Sequence, residues 1–62
     1  MRFEEFLGKL VLVTYNKDRR IVGDLTKVDD KFIVIQTLSQ SIYINLEEII
    51  TLQPARKEEG PL

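Results

Sequence analysis

The sequence predicts an all-β fold: a five-stranded, strongly bent barrel preceded by a short N-terminal helix. Three observations predict it. Gly23 sits inside an otherwise regular strand, where the lack of a Cβ lets a sheet fold back so that backbone meets backbone. The inward parity of that strand then slips, because Ile21, Gly23 and Leu25 share one face by alternation while the next core residue, Val28, lies three positions on, which calls for a bulge between Leu25 and Val28. Finally, Phe32-Ile33-Val34-Ile35 is apolar on both faces, as expected of a strand with no solvent side. A bulged, glycine-bent second strand marks a closed five-stranded barrel.

Each element has a local reason. Residues 2–7 read as one or two turns of helix with Phe3, Phe6 and Leu7 on one stripe, Glu4 and Glu5 in the favourable first turn and Gly8 as the stop. Residues 9–15 form the first strand, Val11, Val13 and Tyr15 facing one way and Leu10, Leu12 and Thr14 the other. Both of its faces are apolar, so Leu10 and Leu12 should lie under the helix or against another subunit. The polar turn Asn16-Lys17-Asp18-Arg19, in which Asn16 and Asp18 best tolerate positive φ, leads to the bent strand at 20–28, and Asp29-Asp30-Lys31 turns the chain into the third strand at 32–37. After Leu38-Ser39-Gln40 comes a strand at 41–45, with Ile42 and Ile44 on one face and Ser41, Tyr43 and Asn45 on the other. Leu46-Glu47-Glu48 is long enough for a single helical turn only, the last strand covers 49–52, and Pro54 ends the sheet. Residues 1–54 are therefore one domain, and 55–62 a charged tail expected to be mobile.

Composition narrows the function. At 62 residues a domain buries only roughly 60% of the surface its unfolded chain exposes, and the absence of cysteine and histidine removes disulfides and the usual zinc ligand sets, so association with further copies is the expected source of extra stability. The net charge of −1, from nine basic and ten acidic side chains, gives no global attraction to nucleic acid; any such site is a local patch. No apolar run reaches membrane-spanning length and the acidic start Met1-Arg2-Phe3-Glu4-Glu5 lacks the apolar core of a signal peptide, so the expected compartment is the cytoplasm, without a membrane partner. No nucleophile-base pair, glycine-rich phosphate loop or metal-ligand set is evident, and a barrel of this size leaves little room for an enclosed pocket; an enzyme, a cofactor, a metal and a small-molecule substrate are not expected.

Gly8-Lys9 before the first strand, the polar turn ending near Asp18, Gly23-x-Leu25, Asp29 and the core pair Phe32 and Val34 together resemble the Sm-like (LSm) family of small SH3-like barrels over about residues 3–54. The apolar spacing of Ile42-Tyr43-Ile44-Asn45 and Leu46-Glu47-Glu48-Ile49 is similar to that family's second motif. The resemblance implies a ring of identical subunits, in which the fourth strand of one copy pairs with the fifth of the next and no sheet edge is left free. It also implies a part in RNA metabolism through single-stranded RNA. The polar signature of the family's uridine site departs here: Ile33 stands where an asparagine follows the strand-three core residue, and Asn45 and Leu46 stand where an arginine-glycine pair is found. Ile33 offers an unpaired base no hydrogen bond. By the resemblance the segments 29–33 and 45–48 line a central pore, where Asp29, Asp30, Glu47 and Glu48 outnumber Lys31 and repel phosphate. The C-terminal barrel of bacterial ribosome-maturation factors, which follows another domain, is a further resemblance through the bent second strand and the apolar-Leu-Glu-x-Ile ending.

The candidate RNA-binding residues are Lys17, Arg19, Arg20, Asp29, Lys31, Tyr43 and Asn45. Lys17, Arg19 and Arg20 are the most basic local cluster, suited to phosphate at a barrel rim, although solvated hairpin charge is the plainer reading. Asp29 fits a turn that caps backbone amides better than a support for a base-contacting residue, since the partner asparagine is missing. Phe3, Phe6, Tyr15 and Phe32 read as core, too scattered for a stacking platform. Tyr43 shares its face with Ser41 and Asn45 and suits a subunit seam better than a stacked ligand. Adjacent Glu47 and Glu48 on a short turn point apart and read as solvated. Candidate interface residues are Leu10, Leu12, Ile42, Tyr43, Ile44, Ile49, Ile50 and Leu52. The reading that follows is a homo-oligomeric Sm-like protein holding single-stranded RNA, its rival a structural or adaptor barrel that self-assembles or binds proteins without nucleic acid.

Overall fold

Gly23 decides the architecture. In the computed structural model, which describes residues 3–55, a Cβ built at Gly23 would lie 2.6 Å from Cγ2 of Ile35 and 2.7 Å from the carbonyl oxygen of Gln36. Only a residue without a side chain lets these two strands cross so closely. Two residues on, the ladder slips as the parity argument requires. Leu25 pairs with Ile35 and Lys27 with Val34, so Thr26 is the extra residue of a bulge, its hydroxyl donating to the carbonyl of Val34 at 3.3 Å.

Five antiparallel strands follow from these two devices: β1 Leu10–Tyr15, β2 Arg19–Val28, β3 Phe32–Gln36, β4 Ser41–Asn45 and β5 Ile49–Pro54, in the sheet order β4-β3-β2-β1-β5. The hydrogen-bonded ladder does not close. β4 and β5 are its two margins, whereas the sequence reading expected a closed barrel. The sheet is nevertheless strongly curled, and chain length dictates it. Asn45 and Ile49 are joined through Leu46–Glu48, a span of at most about 14 Å, while four strand spacings in a flat sheet separate the margins by about 19 Å.

The curl encloses Val11, Val13, Leu25, Ile33, Ile35, Ile44 and Leu52, the first six almost wholly shielded from solvent. Val34 is buried on the opposite face of β3, but Phe32 and Gln36 on that face are half-buried and exposed, so only the middle of the strand is covered on both sides. The partner choice is a correction. The fully enclosed pair is Ile33 and Ile35, while Phe32 is only half-buried, because its register opposite Asn45 places it with Val34 on the outer face. Phe3 and Phe6 are likewise half-buried against the core rather than inside it.

Other boundaries differ slightly. The N-terminal helix is a single 3-10 turn, Phe3–Phe6, closed by Gly8 at φ +82°. Gly8 donates to the carbonyl of Leu25 at 2.8 Å and Leu25 to that of Lys9 at 3.0 Å, which ties the turn to β2. Its phenylalanines pack on the core cluster, so the turn serves the core face of the sheet, and Leu10 and Leu12 remain half-buried on the other face beside the exposed Val22. In the first hairpin the positive φ values fall at Asn16 (50°) and Lys17 (76°), not at Asp18; the Tyr15↔Arg19 pairing leaves a three-residue loop whose reversal happens in its first two positions. β2 begins one residue earlier than expected, β3 ends one earlier, and β5 runs on through Pro54, which pairs with Val11 at a margin where its missing N–H costs nothing. The expected mobile tail, but for Ala55, lies outside the described residues.

A core this small makes each buried branch count. A domain of this length holds roughly 3–9 kcal/mol of stability, and truncating a fully buried isoleucine costs about 2–5 kcal/mol. Ile33→Ala is therefore expected to lower the urea midpoint of far-UV circular dichroism by half or more; a midpoint within a tenth of wild type would place Ile33 outside the core.

Candidate functional site

The 3-10 turn Leu46–Glu48 is hydrogen-bonded to two other turns, one at each end of β2. Asn16, in the β1–β2 hairpin, donates its amide to the carbonyl of Glu48 at 2.9 Å, and Leu46 donates to the carbonyl of Lys31 at 2.8 Å. These two bonds fasten the hairpin, the β2–β3 turn and the 3-10 turn Leu46–Glu48 to one another. The 3-10 turn is capped from within the sequence, the side chain of Asn45 accepting from the amide of Glu47 at 2.9 Å. Asp29 caps the turn that it opens: its carboxylate accepts from the amide of Asp30 at 2.6 Å, and its own amide donates to Phe32 at 2.8 Å. The expectation that Asp29 shapes backbone is thus met by geometry.

Lys31 and Asn45 line one shallow cleft of about 210 Å³ together with Asp30, Leu46 and Glu47. Lys17, Arg19, Arg20 and Lys31 are exposed, as are Asp18, Asp29, Asp30, Glu47 and Glu48. The sequence reading treated the basic hairpin and the acidic turns as separate places. The 3-10 turn links them through its two ends, and the cleft on its Lys31 side carries two carboxylates for its one ammonium. The cleft's excess of carboxylate disfavours an anion there, whereas the hairpin Lys17-Asp18-Arg19-Arg20 carries a net positive charge.

The candidate interface residues divide. Ile44 and Leu52 are in the core of this copy, only 1% and 6% exposed, and can offer a neighbour their backbone but not their side chains. Leu10, Leu12, Ile42 and Ile49 are half-buried, whereas Tyr43 on β4 and Ile50 on β5 are 69% and 56% exposed. Ile50 protrudes because of a second bulge: Thr14 pairs with Thr51 and Tyr15 with Ile49, leaving Ile50 without a partner on β1. Beside it runs an apolar groove of about 460 Å³ lined by Phe3, Leu46, Ile49, Ile50, Thr51 and Leu52.

Sequence reasoning missed one grouping. Phe32 and Tyr43 lie diagonally across β3 and β4 with ring centroids 5.5 Å apart, tilted by 45°, and Nζ of Lys27 stands 5.8 Å from the centroid of Phe32. The signal was present in the two-residue alternation, which puts Phe32, Val34, Tyr43 and Asn45 on one face once the register of β3 and β4 is known.

Among the described residues, no group of three or more His, Cys, Asp or Glu side chains is placed to hold a metal ion, and no helix is long and apolar enough to cross a membrane. Among the described residues, fold and site define a small, mainly β protein whose sheet has β4 and β5 as unpaired margins and whose cleft holds two carboxylates and one ammonium. Comparison with known proteins found no matching family model, curated protein or solved structure.

Proposed function

We propose that this chain is an Sm-like protein that assembles with further copies of itself into a ring and acts in RNA metabolism by holding single-stranded RNA. The observation that carries this reading is the pair of unpaired margins on one curled five-stranded sheet, with a β2 that is bent at Gly23 and bulged at Thr26. β4 and β5 are of similar length, and each presents one exposed large apolar side chain, Tyr43 and Ile50. Pairing the β4 of one copy with the β5 of the next satisfies both rows of backbone groups and brings Ile50 beside the next copy, completing an SH3-like barrel wall between subunits while Tyr43 stays on the outer face. RNA phosphates would sit at Lys17, Arg19 and Arg20 on the rim, since the adjoining cleft is acidic.

That acidic cleft also favours a second reading, an adaptor barrel that assembles or binds proteins without nucleic acid. Two measurements test the proposal. Light scattering on a sizing column at tens of micromolar should give a whole-number multiple of the 7.2 kDa chain; a monomer removes the ring. Short uridine-rich and adenine-rich RNA should bind at low salt. The double variant Arg19→Ala, Arg20→Ala should weaken that binding at least about tenfold and flatten its dependence on log salt by about 1.4, the share of two phosphate contacts on a single strand. An assembly that binds neither RNA at low salt is the adaptor.

A further inference from the structure

We propose that the outer face of β2, β3 and β4 carries a base-stacking site, made of the rings of Tyr43 and Phe32 with the ammonium of Lys27 beside them, for an unpaired base of single-stranded RNA and the phosphate attached to it. The proposal rests on the RNA-holding reading above and adds to it a place for the base, distinct from the rim that takes phosphate and from the cleft between the turns.

The register builds this patch. Lys27 pairs with Val34, and Val34 with Tyr43, so three strands set a cation, a buried aliphatic floor and an aromatic ring in one row. Phe32, two residues before Val34 on the same face, leans across the row to meet Tyr43 at 5.5 Å and Lys27 at 5.8 Å. Val34 is only 7% exposed, whereas Tyr43 is 69% exposed and Phe32 half-buried, so the rings stand on a closed base with surface still open to a ligand. A nucleobase supplies what that surface lacks: a flat π-face to lie on an aromatic ring and an anionic linkage within reach of a lysine. Stacking of this kind is tolerant of sequence, which suits a face whose polar groups are few. The bulge at Thr26 is what brings Lys27 into the row; an unbulged β2 would turn that side chain to the other side of the sheet.

The chain has no tryptophan, so Tyr43→Trp introduces a single fluorophore on the patch. Titration with oligouridine and oligoadenine of about ten nucleotides should quench its emission in step with the anisotropy of labelled RNA. Tyr43→Ala should weaken RNA binding at least about fivefold while Tyr43→Phe leaves it within twofold, and Lys27→Ala should lower the salt slope by about 0.7. RNA that binds the wild-type protein but leaves the emission of the Tyr43→Trp variant unchanged, or binds Tyr43→Ala as tightly as wild type, overturns the stacking site and leaves the RNA-holding function standing. RNA that does not bind the wild-type protein at all overturns both. Light scattering on Tyr43→Ala separates the remaining role: an assembly that dissociates, with RNA affinity restored when the protein is concentrated enough to reassemble, makes Tyr43 a seam residue and also overturns the site.

Discussion

Gly23→Val is expected to leave no folded protein at room temperature. The first carbon of any side chain there meets Cγ2 of Ile35 at 2.6 Å and the backbone oxygen of Gln36 at 2.7 Å, and a branched one adds two further carbons in the same space. Ile35 is fully enclosed and has nowhere to move, and the Gln36 carbonyl belongs to the β2–β3 ladder, where Asp24 pairs with Gln36. Relief therefore requires β2 and β3 to separate where the sheet folds over the core. Overpacking of a rigid core costs about 1–3 kcal/mol when side chains alone must shift, and more when a strand pairing is lost. Together these losses reach the roughly 3–9 kcal/mol a domain of this length holds. Circular dichroism should show a strand spectrum for wild type and an unfolded one for Gly23→Val, with Gly23→Ala between them, folded but with a much lower urea midpoint. A Gly23→Val protein as stable as wild type would mean that the two strands do not approach as described.

In the ring proposed above, Ile50→Lys is expected to dissociate the assembly while sparing the fold of each copy. Ile50 is 56% exposed, has no partner on β1 and borders the apolar groove next to β5, so within one copy a lysine there keeps its ammonium in water. Between copies the same ammonium would be trapped at a strand-to-strand seam, where an unpaired charge costs several kcal/mol. Since every seam of a closed ring carries the change, the cost is repeated at each, and light scattering should report the 7.2 kDa monomer at concentrations where wild type is assembled. Far-UV circular dichroism should be unchanged. A variant that remains assembled would exclude β5 from the contact.

The bend was legible in the sequence because its cause is local. One glycine and one slip of parity fall within six residues, and both reappear as a close approach and a bulge at the positions anticipated. The turn at Leu46–Glu48 was legible for the same reason, its length leaving no other element. What escaped was set by partners distant in the chain. Phe32 looked like core because a strand apolar on both faces gives alternation no purchase; only its pairing with Asn45 assigns its side. The basic hairpin and the acidic turns looked unrelated because the bonds from Asn16 to Glu48 and from Leu46 to Lys31 join segments that the sequence does not place together. The second bulge was hidden in Ile49-Ile50, where two like residues conceal which of them is the extra one.

That surplus isoleucine can be considered apart from the ladder beside it. With residue 50 removed, Ile49, Thr51 and Leu52 would keep their present partners Tyr15, Thr14 and Val13 in unbroken alternation, so the protomer's own ladder makes no use of it. Its loss would leave the β1–β5 ladder in register while removing one wall of the apolar groove, so in the ring proposed above the change falls on the surface that β5 offers the next copy.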